Sequence, residues 1–319
     1  MNKAMNHVLF ATAGYDHSIR LWYPHNAICY KMLQHNESQV NCMAFHPNRS
    51  LLASGGYQQV CIFDTQSSTQ NLIVNLDGVV KNTIAIGFKD KGTCMYTAGE
   101  NKTIKLWDIR SMKCSSEFVH SMPITALALH PNQIDFIYGD DNGDMFRWDT
   151  RTAQSEKLEM PEESKSTIRS ISINQEGTMM AAVNNDGHCF YWLMSGGHDD
   201  QPPNLRRCTV NQVHKRYALK CLFSPDSTLL ATSSADGTAK IWRTVDFSLE
   251  SECKEPKDPK QQISSSKWIW DLAFTCDSEY LFTASSDKIA RLWTVKTGEI
   301  KKDFIGHQKP IVCLAFSDI

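Results

Sequence analysis

The chain is 319 residues long, carries 33 Lys and Arg against 35 Asp and Glu, and is 41% apolar and 21% charged. Charge this close to balance lays down no basic stripe for nucleic acid, and the composition is that of a soluble globular protein. The longest apolar runs have the length of β-strands, too short for a bilayer, and the eleven cysteines are scattered without a Cys-x-x-Cys pair, so neither a zinc site nor a disulfide framework is expected.

Residues 1–7 are polar and lack a basic region followed by an apolar core, so no signal peptide is read there and a cytosolic or nuclear protein is expected. The sequons Asn36-Glu-Ser38, Asn48-Arg-Ser50 and Asn101-Lys-Thr103 are then chance matches, and the cysteines, for example Cys61, Cys189 and Cys313, serve as small hydrophobes in strands. From Val8 onward the chain repeats itself. A hairpin unit of two short apolar runs ends on an aromatic seven times, at Trp22, Phe63, Trp107, Trp148, Trp192, Trp242 and Trp293. The clearest copy runs from Leu229 to Trp242, where Asp236-Gly237 separates Leu229 to Ser233 from Thr238 to Trp242 and favours the positive φ of a tight turn. Six residues before each aromatic stands a turn position: Asp16, Tyr57, Asn101, Asn142, Asp186, Asp236 and Asp287. Tyr57 is the one that turn chemistry does not explain.

Each hairpin goes with a further apolar run that reads as an innermost strand: Val40 to Phe45, Thr83 to Phe88, Ile124 to Leu129, Ile168 to Ile173, Ala218 to Phe223, Ile269 to Phe274 and Ile311 to Phe316. Turn signals follow four of them, at His46-Pro47-Asn48, His130-Pro131-Asn132, Ser224-Pro225-Asp226 and Thr275-Cys276-Asp277. The first hairpin has no inner strand before it and the last inner strand has no hairpin after it. Joining them would complete a seventh blade and remove two open edges. Two interruptions stretch the period: Ser195 to Asn204, rich in Gly and Pro, and Lys254 to Ser266, charged and then Ser-rich, both read as linkers.

The period, the Asp turn, the terminal Trp (Trp-Asp itself at Trp107-Asp108 and Trp148-Asp149) and His residues such as Gly306-His307 resemble WD-repeat β-propellers. The fold class this implies is all-β, a seven-bladed propeller forming one domain over residues 1–319, closed by a blade that shares N- and C-terminal strands. In that resemblance His214, Thr232, Asp236 and Trp242 form a structural tetrad, and His307, Thr12, Asp16 and Trp22 form another across the closing blade. A triad-like reading of His214, Asp236 and Thr232 is set aside because such sets repeat and active sites do not. No phosphate loop, metal-spaced His pair or nucleophile elbow appears, so no catalytic residue, cofactor or metal is expected.

Residues that the repeat does not require point elsewhere. The two leading alternate positions of the inner strands read Gln39 and Asn41, Asn82 and Ile84, Pro123 and Thr125, Thr167 and Arg169, Tyr217 and Leu219, Trp268 and Trp270, Pro310 and Val312. Trp268, Trp270 and Tyr217 would set three large aromatics on one rim, the residue types that dominate binding hot spots. Two Trp-Asp-x-Arg boxes, ending at Arg110 and Arg151, resemble those by which propeller substrate receptors dock on cullin-RING ubiquitin ligase adaptors. Ion pairs with Asp108 and Asp149 at a solvated turn are the plainer account of those arginines.

The particular words of the chain narrow the family: Ala11-Thr12-Ala13-Gly14-Tyr15-Asp16-His17, Gln34-His35 with Ser38-Gln39-Val40-Asn41, Arg216-Tyr217-Ala218-Leu219, Lys240-Ile241-Trp242-Arg243-Thr244, and Ala284-Ser285-Ser286-Asp287 with Ala290-Arg291-Leu292-Trp293. They resemble the small WD-repeat subunit of the TOR (target of rapamycin) kinase complexes over essentially the whole chain. The Lys254 to Ser266 stretch and the Asp199-Asp200-Gln201 insertion depart from it. The resemblance implies a non-catalytic subunit in both TOR complexes that binds the kinase C-lobe and stabilises its active state. It also implies a kinase-binding set of Gln39, Asn41, Trp268 and Trp270, and a monomeric propeller in the cytoplasm, brought to endomembranes through its complex. The alternative reading is a ubiquitin ligase substrate receptor acting through Arg110 and Arg151.

Overall fold

The computed structural model describes residues 8–35, 38–66, 72–76, 78–161, 165–197, 202–255 and 267–318. Residues 1–7, Asn36 of the first sequon, Asp199-Asp200-Gln201 and residues 256–266 of the second interruption lie outside the described residues. The described residues form 28 strands in seven four-stranded antiparallel sheets, the blades of a seven-bladed β-propeller.

The chain divides into two compact units, one of residues 1–123, 284–291 and 302–319, the other of residues 124–283 and 292–301. The first holds three sheets. From inner to outer strand they are Ile311–Ser317, Leu9–Gly14, Ser18–Tyr23 and Ile28–Gln34; then Val40–Phe45, Leu51–Gly56, Val60–Asp64 and Leu72–Asn75; then Thr83–Lys89, Cys94–Gly99, Thr103–Asp108 and Lys113–Val119. In the first sheet the strand near the C-terminus pairs antiparallel with the one near the N-terminus, with Phe316 opposite Phe10 and Leu314 opposite Thr12. The second unit holds Ile124–Leu129, Asp135–Asp140, Met145–Asp149 and Gln154–Lys157; Ile168–Ile173, Met179–Asn184, His188–Ser195 and Asn204–Gln212; and Ala218–Phe223, Leu229–Ser234, Thr238–Arg243 and Leu249–Lys254. The seventh sheet, Ile269–Phe274, Tyr280–Ser285, Ile289–Thr294 and Ile300–Ile305, takes segments from both. The inner strands span the apolar runs read from the sequence, two of them longer by one residue, Lys89 and Ser317.

Burial explains the composition of the second strands. Leu9–Gly14 (LFATAG), Leu51–Gly56 (LLASGG) and Leu229–Ser234 (LLATSS) are buried at every position after the first, on both faces. Two-sided burial between sheets leaves room for Ala, Ser, Thr and Gly rather than for large side chains. At Gly139 an added Cβ would stand 2.7 Å from Cβ of Ile168 in the next sheet, so no larger residue fits there. Outer strands carry the opposite pattern: Lys113–Val119 is exposed at six of its seven positions, and the sequence is correspondingly polar.

The hairpin turns differ in one respect from the tight two-residue turn expected at Asp236-Gly237, in which both residues need positive φ. Only the second takes it, in every repeat: His17, Gln58, Lys102, Gly143, Gly187, Gly237 and Lys288 all have φ between 55° and 88°. The turn is a four-residue one closed by a backbone hydrogen bond, as from Gly237 N–H to Ser234 O at 3.3 Å. Asp at the preceding position therefore serves as an acceptor rather than a bend, Asp236 Oδ1 taking the Thr238 N–H at 3.0 Å. That is why Tyr57 is tolerated: Gln58 makes the bend, and Tyr57 donates its N–H to Ser38 Oγ at 2.6 Å.

Candidate functional site

The buried polar sets come first because they resemble catalytic groups. His214 bridges Asp236 Oδ2 at 3.1 Å and Thr232 Oγ1 at 2.9 Å, and the Trp242 indole N–H donates to the same hydroxyl oxygen at 3.0 Å. In the first sheet His307 contacts Asp16 Oδ2 and Thr12 Oγ1, both at 2.7 Å, and Trp22 donates to Thr12 Oγ1 at 2.7 Å. Burial raises the pKa of each carboxyl, but hydrogen bonds and charge from the His ring outweigh it and hold Asp16 and Asp236 well below the usual carboxylate range. Thr12 and Thr232 are completely buried, with both their hydroxyl contacts made inside the protein. Such a hydroxyl has no route to a substrate. What these sets do is tie the loop that carries the His to the turn that carries the Asp.

The other blades depart from the pattern, two of them in ways that bear on stability. In the seventh sheet Trp293 donates to Thr283 Oγ1 at 2.9 Å, and Asp287 is met by Arg291, Nη2 to Oδ2 at 2.7 Å, with both side chains under 10% exposed. The sequence reading assigned Arg291 no role; the signal was an Arg four residues after the turn Asp, on the strand that leaves the turn. In the second sheet the turn residue is Tyr57, so no turn Asp is available to His35. Burial, partly offset by a backbone contact with Ser38 and reinforced by electrostatic repulsion from the neighbouring His17, lowers the His35 pKa to about 4. The ring is neutral in the fold, whereas an unfolded chain takes up a proton near pH 6.5. Stability from His35 is thus complete above about pH 6.5 and is lost as pH falls towards 4, by on the order of 3 kcal/mol. Urea unfolding at pH 7, 5.5 and 4.5 measures it: wild type loses stability across that window, and His35→Gln has a visibly flatter profile.

The residues outside these sets lie at the leading ends of inner strands. In the second unit Tyr217 meets Trp268 edge to face, with ring centroids 6.0 Å apart at 90°, and Trp268 lies 5.0 Å from Trp270 at 43°. The Arg216 guanidinium sits 5.9 Å from the Trp268 ring. Tyr217 is 45% exposed and both tryptophans are half-buried. The Trp270 indole N–H is enclosed and meets no hydrogen-bond partner among the described residues, a costly state for a donor whose only task is packing.

In the first unit the Gln39 and Asn41 side-chain amides donate to one acceptor, Asn82 Oδ1, at 3.4 and 3.2 Å. Asn82 in turn donates to Glu100 Oε2 at 3.0 Å. Sequence reasoning aligned Asn82 with Gln39 without giving it a role, and it passed over Glu100. The network fixes both amides by their NH2 groups and leaves their carbonyl oxygens as acceptors. At the Trp-Asp-x-Arg boxes, Asp108 accepts the Arg110 backbone N–H at 2.9 Å, and Asp149 accepts that of Arg151 at 2.7 Å. The Arg151 guanidinium also pairs with Asp149 at 3.7 Å, and both arginine side chains are exposed. Among the described residues no cluster of three or more His, Cys, Asp or Glu is arranged to hold a metal ion.

Comparison with known proteins adds the family. The WD domain, G-beta repeat, matches residues 27–64, 71–108, 207–243 and 258–294. The chain is 48% identical over 313 residues to a mouse protein named target of rapamycin complex subunit LST8, covering 98% of this chain and 95% of the relative. It is 40% identical over 315 residues to the Drosophila melanogaster LST8 homolog, covering 98% and 96%. A Saccharomyces cerevisiae protein of the same subunit name is 36% identical over 313 residues, covering 98% and 99%. Likeness of this degree over 98% of the chain means that the chain belongs to the LST8 family of WD-repeat propellers.

Proposed function

We propose that this chain is a non-catalytic subunit of TOR kinase complexes and that it folds as one propeller domain over residues 1–319. It binds the C-lobe of the kinase domain and holds the kinase in its active arrangement. The names of its relatives support the complex. The observation that carries the binding reading is the aromatic cluster of Tyr217, Trp268 and Trp270, in mutual contact yet partly open to solvent. Truncating residues of this kind in an interface commonly costs about 2 kcal/mol or more.

The division of labour follows from the chemistry of each group. Trp268 and Trp270 present the exposed parts of their rings to apolar pockets on the kinase. The amide oxygens of Gln39 and Asn41, held from behind by Asn82, accept backbone N–H groups and set register. Binding a rigid propeller narrows the conformations open to the kinase, which shifts its population towards the active state without adding chemistry. The protein acts in the cytoplasm as a monomer within the larger assembly, with no cofactor.

Specific activity per mole of TOR kinase, measured on a peptide substrate with and without this subunit, tests the stabilising role. A coupling of about 1–2 kcal/mol makes the subunit-free kinase roughly tenfold less active. Equal specific activity in the two preparations removes that role.

A further inference from the structure

At the far ends of Ala218–Phe223 and Ile269–Phe274, the strands that follow Tyr217 and Trp268, the second unit has a separate cavity of about 540 Å³. It opens between the sheets of Leu229–Ser234 and Tyr280–Ser285, where the turns after Ala218–Phe223 and Ile269–Phe274 come round. Its apolar lining includes the half-buried Leu229 and Tyr280 and the buried Val295, and Val245 stands at its edge with 95% of its surface exposed. The Lys301 ammonium lies 3.7 Å from the Tyr280 ring centroid and fixes that ring. A β-branched side chain so fully open to water beside an apolar cavity has no folding role.

The charges around the cavity are unequal. Arg243 and Glu250 form an ion pair and cancel. Asp226 and Asp277 accept hydrogen bonds from their own turns, at Thr228 Oγ1 (2.8 Å) and at the Glu279 N–H (3.0 Å). Burial raises the Asp226 pKa, yet the hydroxyls of Ser224 and Thr228 lower it further, so it is charged at neutral pH. None of Asp226, Asp277 and Glu279 forms an ion pair among the described residues, and the remaining cation of the lining is the exposed Lys296. Three unpaired carboxylates against the Lys296 ammonium and that of Lys301, which stands on the Tyr280 ring, leave a net negative rim over an apolar floor.

We propose that this cavity docks a short extended segment of a partner protein, one large apolar side chain entering between Leu229, Tyr280 and Val295 while an adjacent Lys or Arg meets Asp226, Asp277 and Glu279. A volume of this size suits one or two side chains plus backbone. The charge complementarity sets orientation and association rate more than affinity. Since the aromatic cluster occupies the opposite ends of the same strands, the second partner binds without displacing the first.

Selection of a displayed random dodecamer library on the full chain, with counter-selection on the Val245→Glu, Glu279→Arg double variant, tests this directly. Both substitutions lie on exposed side chains that make no hydrogen bond in the fold, and the variant's thermal melt is checked to match wild type. The expected winners carry a large apolar residue within two positions of a Lys or Arg. Their fluorescence-polarisation affinities fall at least tenfold with Glu279→Arg, fall several-fold between 50 and 300 mM salt, over which the screening length shrinks from about 14 to about 6 Å, and do not change with Trp268→Ala. Winners that are acidic or purely apolar, equal binding to the double variant, or no enrichment at all overturns the proposal.

Discussion

Deleting the chain from Ile311 onward unfolds the first unit. That strand is the inner member of the first sheet, and its Ile311, Cys313, Leu314 and Ala315 are buried. Cys313 and Ala315 belong to the same apolar cluster as Ala11, Leu21, Val40 and Leu52, so the strand joins the first sheet to the second. Loss of these side chains alone is worth on the order of 5 kcal/mol, comparable with the whole stability of many domains, about 5–15 kcal/mol. The deletion also bares the backbone edge of Leu9–Gly14, which then offers itself to other chains. The measured outcome is a large drop in melting temperature with aggregation. A truncated chain that melts where the full chain melts shows that the strand is not structural.

Arg291→Leu is the single substitution with the largest expected cost. The ion pair with Asp287 at 2.7 Å is enclosed, with 6% and 8% of the two side chains exposed, and Asp303 stands 3.5 Å from Nε. Burial pushes the Asp287 pKa up, and Arg291 keeps it down. Without the guanidinium the carboxylate is left uncompensated, which costs about 3–5 kcal/mol. Denaturant unfolding of Arg291→Leu, Asp287→Ser and the double variant measures the coupling. The double variant is more stable than the sum of the singles requires, because removing both charges leaves none stranded. A loss under about 1 kcal/mol for Arg291→Leu contradicts the pair's role.

The strands were legible because a propeller repeats one local pattern seven times, and seven noisy copies agree on a register that one copy does not define. The turns were legible only in part. Asp at the turn position looked like the bend, and the bend belongs to the residue after it, as Gln58 and Lys288 show with positive φ and no glycine. The buried sets of His214 and His307 could be read because their residue types recur at fixed offsets. Arg291 was passed over, although its spacing of four from the turn Asp was visible, because it reaches that Asp from the next strand instead of from the preceding loop.

For the proposed binding residues, alignment of inner strands isolated Trp268, Trp270 and Tyr217 as aromatics the repeat does not need, and they lie in contact in the fold. The amide network around Asn82 was invisible in the sequence. Hydrogen bonds between neighbouring sheets depend on side-chain direction, which no spacing rule encodes. The exposed Val245 and the acidic cavity beside it escaped for the same reason: their parts lie far apart in the chain.

The central claim is that Trp268 and Trp270 hold the kinase. Co-purification of TOR kinase with the Trp268→Ala, Trp270→Ala double variant, run beside the variant's thermal melt, tests it most directly. Kinase lost from the variant while the melting temperature stays at the wild-type value is the predicted result. Kinase retained at the wild-type level, or lost only in step with the fold, contradicts it and returns both tryptophans to the packing of their blades.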